Sequence, residues 1–263
     1  MRVITSPQNP EIKALARLKD RRDRERDGYF LIEGTRELSR ALQGGVQVER
    51  VYLCKELLRP EGHDLLLTLS GPELLTVSRV AFDKLSVREN PDGLVGIAPL
   101  RTWDLPALPQ RSLVLVLAGL EKPGNLGALL RTADAVGVDA VIIAGRGADL
   151  HNPNVIRASQ GSVFSLPLTV MTDEDALAFL RDRGITLFAV TPEGAQSYWH
   201  AELTGSVALV LGTEHSGLDP VWKAAARERL SIPMQGAADS LNVATAGALV
   251  LYEALRQRQN TMK

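Results

Sequence analysis

Residues 112–258 alternate between short, almost wholly apolar runs and longer stretches with helical periodicity. The runs SLVLVLAG, AVIIAG, ITLFAV and SVALVLG lack the in–out alternation of a strand with one wet face. A strand that is apolar throughout has to be covered on both faces, as in the parallel sheets of α/β proteins. NLGALLRTADAVG, DEDALAFLRDRG and LDPVWKAAARE lie between them and read as helices, the first two closed by glycine. The succession predicts an α/β fold, a parallel sheet with helices on both faces.

Open sheets of this kind take ligands beyond the carboxyl ends of their strands. Four loops follow strands here: LEKPGNLGALLR, TPEGAQSYW, TEHSGLDP and MQGAADSLN. All are rich in glycine, proline and small polar residues, and together they can line one crevice. None is a known phosphate cradle. Neither G-x-G-x-x-G nor G-x-x-x-x-G-K-[ST] occurs, which disfavours a redox dinucleotide enzyme and a nucleotide triphosphatase. A G-x-S-x-G elbow is missing too.

Upstream, residues 1–98 read as a smaller α/β unit. FLIEG and VERVYLC suggest strands, TRELSRALQGG a helix, and GLVGIA a last strand, with apolar runs at Leu65–Leu69 and Leu74–Val77 between. VRENPDG is a turn-rich loop. Residues 99–111, PLRTWDLPALPQR, hold three prolines and serve as the linker to a second domain over 112–263. A helix starting at Pro10 would bury Ile12, Leu15 and Leu18, with Lys13, Arg17, Arg21 and Arg24 on another face. That stripe is either a salt-bridged solvent face or a surface for phosphates.

Composition narrows the classes. Net charge is −1, so nucleic-acid binding would rest on local patches. One cysteine, Cys54, cannot form an intramolecular disulfide, and four scattered histidines show no metal-ligand spacing, so no metal is expected. No apolar run approaches a membrane span and the N-terminus lacks a secretory h-region; a cytoplasmic protein is expected.

Candidate site residues come from the loops. Asn125 can cap the helix carrying Arg131, and Arg131 either pairs with Asp134 or faces the crevice. Glu214, just after Gly212 at a strand end, can receive backbone N–H groups, hold Arg131 or cap the next helix. Ser240 and Asn242 stand where a glycine-containing loop runs into the last helical pattern.

NLGALLRTADAVGVDAVII, LVLGTEHSGL and IPMQGAADSLNVATAGALVLYEA, in this order and spacing, resemble the three motifs of the SpoU/TrmH family of RNA ribose 2′-O-methyltransferases. The resemblance spans Leu113 to Arg258, and NPEIKALARL, FLIEG and LSVRENPDGLVGIA resemble the substrate-binding domain of its ribosomal-RNA members. It implies a trefoil knot near the C-terminus and an S-adenosylmethionine site formed by the knot's loops. Gly212, Ile232 and Leu241 would line that site, with Thr191 and Met234 beside them. Arg131, Glu214, Ser240 and Asn242 would stand at the methyl-transfer point with Asn125 as organiser. Many members read SLNVS where this chain reads SLNVAT, which leaves Ser240 and Asn242 in place.

The resemblance also implies a homodimer through the knot region and RNA as partner, ribosomal RNA ahead of tRNA. A guanidinium stays protonated near neutral pH. The family is often assigned an arginine base, a role that Arg131 matches; Arg131 is expected instead to bind the target phosphate and stabilise the developing oxyanion, with relay of the proton as a further role. The Lys13/Arg17/Arg21/Arg24 stripe and Arg157 are the candidate RNA contacts. A non-catalytic RNA-binding protein on the same scaffold is the alternative.

Overall fold

A computed structural model describes residues 2–213 and 217–261. They form two compact units, Met1–Arg101 with Asp149–Ser165, and Thr102–Ala148 with Leu166–Lys263.

The first unit opens with β1 (Arg2–Ile4), α1 (Pro10–Arg17), α2 (Arg21–Asp27), β2 (Tyr29–Glu33) and α3 (Thr35–Gln43). It continues with β3 (Arg50–Leu53), α4 (Pro60–Thr68), β4 (Glu73–Val77), α5 (Arg79–Leu85) and β5 (Leu94–Pro99). Its five strands are ordered β1-β4-β3-β5-β2, parallel except where β5 meets β3 and β2. Ile12, Leu15, Phe82 and Leu85 from α1 and α5 pack with Leu31, Tyr52, Leu75 and Ile97 of the sheet in one core.

One apolar run gains an assignment here and one sequence expectation changes. The run Leu65–Leu69 lies largely at the end of α4, which Pro60 starts at its first position, and Leu67 is 85% exposed. The basic stripe is not one helix face. α1 ends at Arg17, Asp20 caps a new helix by accepting from Arg22 N at 2.9 Å, and Arg24 turns inward.

β6 (Leu113–Ala118), α6 (Pro123–Val136) and β7 (Ala140–Ala144) follow in the second unit, whereas α7 (Pro153–Ala158) belongs to the first. The second unit resumes with β8 (Leu168–Met171), α8 (Asp173–Asp182), β9 (Thr186–Val190), β10 (Gln196–Ser197) and β11 (Val207–Leu211). It closes with α9 (Pro220–Ala225), β12 (Glu228–Ser231) and α10 (Val243–Thr261). The segment VFSLPL runs from a 3₁₀ turn at Ser162–Phe164 to the first residue of β8.

Sequence reading put 112–263 in one domain, yet Asp149–Ser165 packs with the first unit. Arg24, 1% exposed, pairs with Asp149 and donates to the carbonyls of Leu18 (2.7 Å) and Lys19 (2.8 Å). The His151 ring lies 4.7 Å from that of Phe30, and Arg40 donates to Gln160 O (3.1 Å) and Ser162 Oγ (3.0 Å). Partners about 120 residues upstream leave no periodic trace in the segment itself.

The second sheet is wholly parallel, in the order β10-β12-β9-β11-β6-β7-β8. Val114, Val116, Ile142, Ala189, Ala208 and Val210 bury one face under Ala176 and Leu180 of α8 and Trp222 of α9. The alternate residues point to the opposite face. There α10 lies on α6, and Gly247 comes so close that a Cβ would stand 2.4 Å from Leu129 Cδ2 and 2.8 Å from Leu211 Cδ1. Helices on both faces explain why these strands are apolar throughout. Arg258 anchors the end of α10 through the carbonyls of Arg111 (2.8 Å), Ser112 (3.1 Å) and Leu203 (3.1 Å), and burial lowers its guanidinium pKa.

Candidate active site

Parallel register places the loops. Val190, the last residue of β9, stands opposite both Leu211 of β11 and Leu230 of β12. Three loops therefore leave the sheet at one level on its carboxyl edge. Between them and the start of α10 lies a cavity of about 460 Å³.

All five expected cofactor residues line it: Thr191 after β9, Gly212 after β11, Ile232 and Met234 after β12, and Leu241 before α10. Ser240 and Asn242 line it as well. Two glycines let the backbone close up. A Cβ on Gly212 would lie 2.4 Å from Gly217 O, and one on Gly194 would lie 2.4 Å from the Leu230 carbonyl carbon. The turn carrying Thr191 is pinned by Thr191 N to Leu230 O (2.9 Å) and Gly194 N to Thr191 O (3.2 Å). Thr191 is 5% exposed, and its hydroxyl has no hydrogen-bond partner among the described residues.

Asn242 does two jobs with one amide. Its Oδ1 accepts from Ala244 N at 2.9 Å and caps α10, while its Nδ2 donates to Asn125 Oδ1 at 3.2 Å. Asn125 is not the cap of α6. Pro123 starts that helix earlier with Lys122 at the cap position, so Asn125 sits within the first turn and is free to face Asn242. Arg131 is exposed on α6 and is not part of the cavity lining. Glu214 lies outside the described residues.

Sequence reasoning missed Glu193 and Asp239, both in the lining. The loops TPEG and AADS were the signal, but no pattern within them marked the carboxylates. Among the proposed RNA contacts, Lys13, Arg17 and Arg157 are exposed, and Arg21 is exposed but pairs with Glu25 at 2.7 Å. Arg24 is a correction: its guanidinium is consumed inside the first unit and cannot face a phosphate. A group not foreseen is the pair of buried Glu37 with partly exposed Arg88 (2.7 Å) beside Glu33, whose carboxyl pKa is raised by burial.

The sequence profile of the SpoU rRNA Methylase family matches residues 112–252, the segment that supplies the whole cavity. The chain belongs to the SpoU rRNA methylase family. Residues 9–96 match the MRM3-like substrate binding domain. Among SpoU relatives, the 23S rRNA (uridine(2479)-2′-O)-methyltransferase of Streptomyces viridochromogenes is 32% identical over 92% of this chain and 88% of its own length. A crystal structure of an RNA 2′-O ribose methyltransferase superposes with a TM-score of 0.89 at 47% identity, covering 98% of this chain and 99% of that one. The SpoU methyltransferase AviRb from Streptomyces viridochromogenes, solved with its cofactor S-adenosylmethionine, gives 0.86 at 30% identity, covering 96% and 99%.

Proposed function

We infer that the chain is an S-adenosylmethionine-dependent RNA 2′-O-ribose methyltransferase acting on ribosomal RNA. The observation that carries this is the meeting of Thr191, Gly212, Ile232, Met234 and Leu241 with Ser240 and Asn242 in one cavity. It occurs in a chain alike over its full length to enzymes of that name.

The cavity fits the cofactor chemically. The unpartnered Thr191 hydroxyl calls for a polar ligand group, since a buried hydroxyl left unpaired is costly. The glycine backbone at 212 brings a peptide group to the wall, and Leu211, Leu218 and Ile232 supply apolar surface. When bound, S-adenosylmethionine supplies the methyl group as an activated sulfonium.

The chain's own residues do the rest. Ser240 and Asn242 orient the acceptor ribose, and Asn125 holds the Asn242 amide in the direction required. Such positioning accounts for a large part of a transfer barrier, up to ~7–11 kcal/mol in ideal cases. Arg131, with Glu214 as its proposed partner, binds the target phosphate and stabilises the oxyanion as the hydroxyl proton departs. The turn 191–194 and the loop 233–242 are the proposed crossing segments of the expected trefoil knot.

Residues 9–96 serve as the RNA-binding domain, joined by a linker at 99–111, with Lys13, Arg17 and Arg157 as contacts. The acceptor, a 2′-hydroxyl, selects RNA over DNA. A second copy covers α10, where Leu249 and Tyr252 are 39% and 51% exposed, so the working form is a homodimer. A ribosomal substrate places the protein in the cytoplasm. No helix among the described residues is long and apolar enough to cross a membrane.

The test is methylation of total RNA with labelled cofactor, followed by mapping of the modified ribose. Label on one ribosomal-RNA ribose is the expected result. Label confined to tRNA, or none, overturns the assignment.

A further inference from the structure

The charged side chains of the cavity carry one sign. Glu193 and Asp239 line it, and its described lining contains no lysine, arginine or histidine. Glu193 is not on a free loop. It sits between Thr191 and Gly194 in the turn that Thr191 N and the close approach of Gly194 hold against β12. Asp239 precedes Ser240, so its carboxylate stands on the loop that also presents the methyl-transfer residues. The buried, unpartnered Thr191 hydroxyl marks the same wall as ligand-facing.

Charge is what the proposed reaction changes. The C–S bond breaks with its electron pair left on sulfur, the ribose oxygen gains the methyl, and the hydroxyl proton passes to solvent. The cofactor carries a sulfonium, an ammonium and a carboxylate, a net of one positive charge. The thioether product keeps the ammonium and carboxylate and is neutral. Both carboxylates are solvent-exposed, so their pull on the extra charge is screened, yet across a cavity of about 460 Å³ it still favours the cation.

We propose that Glu193 and Asp239 make the cavity prefer the cationic sulfonium over the neutral thioether. Methyl transfer then loosens the hold on the product left behind. This rests on the reading of the cavity as the S-adenosylmethionine site.

The test is calorimetric titration of the full-length protein with S-adenosylmethionine and with S-adenosylhomocysteine. It uses wild type, Glu193→Gln, Asp239→Asn and the double variant, each checked for an unchanged melting curve. The ratio of the two dissociation constants is expected to move against the sulfonium by about two- to fivefold in each single variant and further in the double. In the wild type, added salt is expected to weaken sulfonium binding and leave the thioether nearly unaffected. Equal weakening of both ligands, or a ratio and salt response that stay constant, overturns the proposal while leaving the cofactor site in place. A wild type that binds neither ligand overturns the cofactor site and the proposal together.

Discussion

Replacing Gly194 with alanine isolates one contact that shapes the cavity. Gly194 does not have a positive φ, so alanine can take its backbone conformation and the effect is steric. The new Cβ would stand 2.4 Å from Leu230 C, 2.5 Å from Ser231 N and 2.7 Å from Leu230 O. All three are backbone atoms of a strand held between β9 and β10, so no side chain can swing aside. Carbon atoms pack at about 3.5–4 Å, so the turn or the strand has to shift by about 1 Å. Overpacking of this kind costs about 1–3 kcal/mol. Lifting the turn also breaks the 2.9 Å bond from Thr191 N to Leu230 O, a loss of about 1 kcal/mol. The sum is about 2–4 kcal/mol, and it falls on the wall carrying Thr191 and Glu193. Calorimetry should show S-adenosylmethionine affinity reduced at least about thirtyfold if the turn moves. If β12 yields instead, scanning calorimetry should show melting lowered by about 5–10 °C. Gly236→Ala is the control, because nothing lies within 4 Å of its Cβ position, and it should change neither. A Gly194→Ala protein with affinity within about threefold and melting within about 1 °C of wild type would refute the claim that backbone contact shapes this wall.

Other consequences follow from single groups. Asn242→Ala removes both the cap of α10 and the link to Asn125; differential scanning should show about 1 kcal/mol lost. Single-turnover methylation should fall far more than cofactor affinity. Arg24→Ala leaves Asp149 without its partner and should destabilise by about 3–5 kcal/mol in denaturant titrations. The salt dependence of RNA binding should stay unchanged in that variant, whereas neutralising Lys13 and Arg17 should flatten it without touching stability. Burial, with the charges of Arg24 and Arg101, pushes the His151 pKa from 6.5 down to about 4. The imidazole is then neutral in the fold where the unfolded chain is already protonated. Stability should fall by roughly 3 kcal/mol as pH drops from about 6.5 to 4, a slope that His151→Gln should remove in pH-dependent unfolding curves.

Much of the second unit was readable from the chain alone because its signals are local. Continuous apolar runs declared strands covered on both sides, and glycines closed the helices between them. The loops after those strands named the region of the site, and the three ordered motifs named the family. What failed were contacts between residues distant in sequence. The helical spacing of Lys13, Arg17, Arg21 and Arg24 suggested one basic face. A helix break at Leu18–Asp20 and an ion pair to Asp149 turned Arg24 into a buried strut. Asp149–Ser165 was read with the strands flanking it in sequence but packs with residues near the start of the chain.

By itself the sequence determined that a parallel sheet would form, which loops would stand at its carboxyl edge, and that Asn125, Ser240 and Asn242 lie in or beside those loops. Only the tertiary structure decided that Val190, Leu211 and Leu230 stand in register, so that three loops converge on one cavity. Tertiary structure also decided that Asn125 serves Asn242 rather than its own helix, and that Glu193 and Asp239 face the same space as Thr191. The physical reason is range. Periodicity and capping act over a few residues along the chain, whereas strand register and backbone contacts such as Gly194 on Leu230 exist only once the chain has folded back on itself.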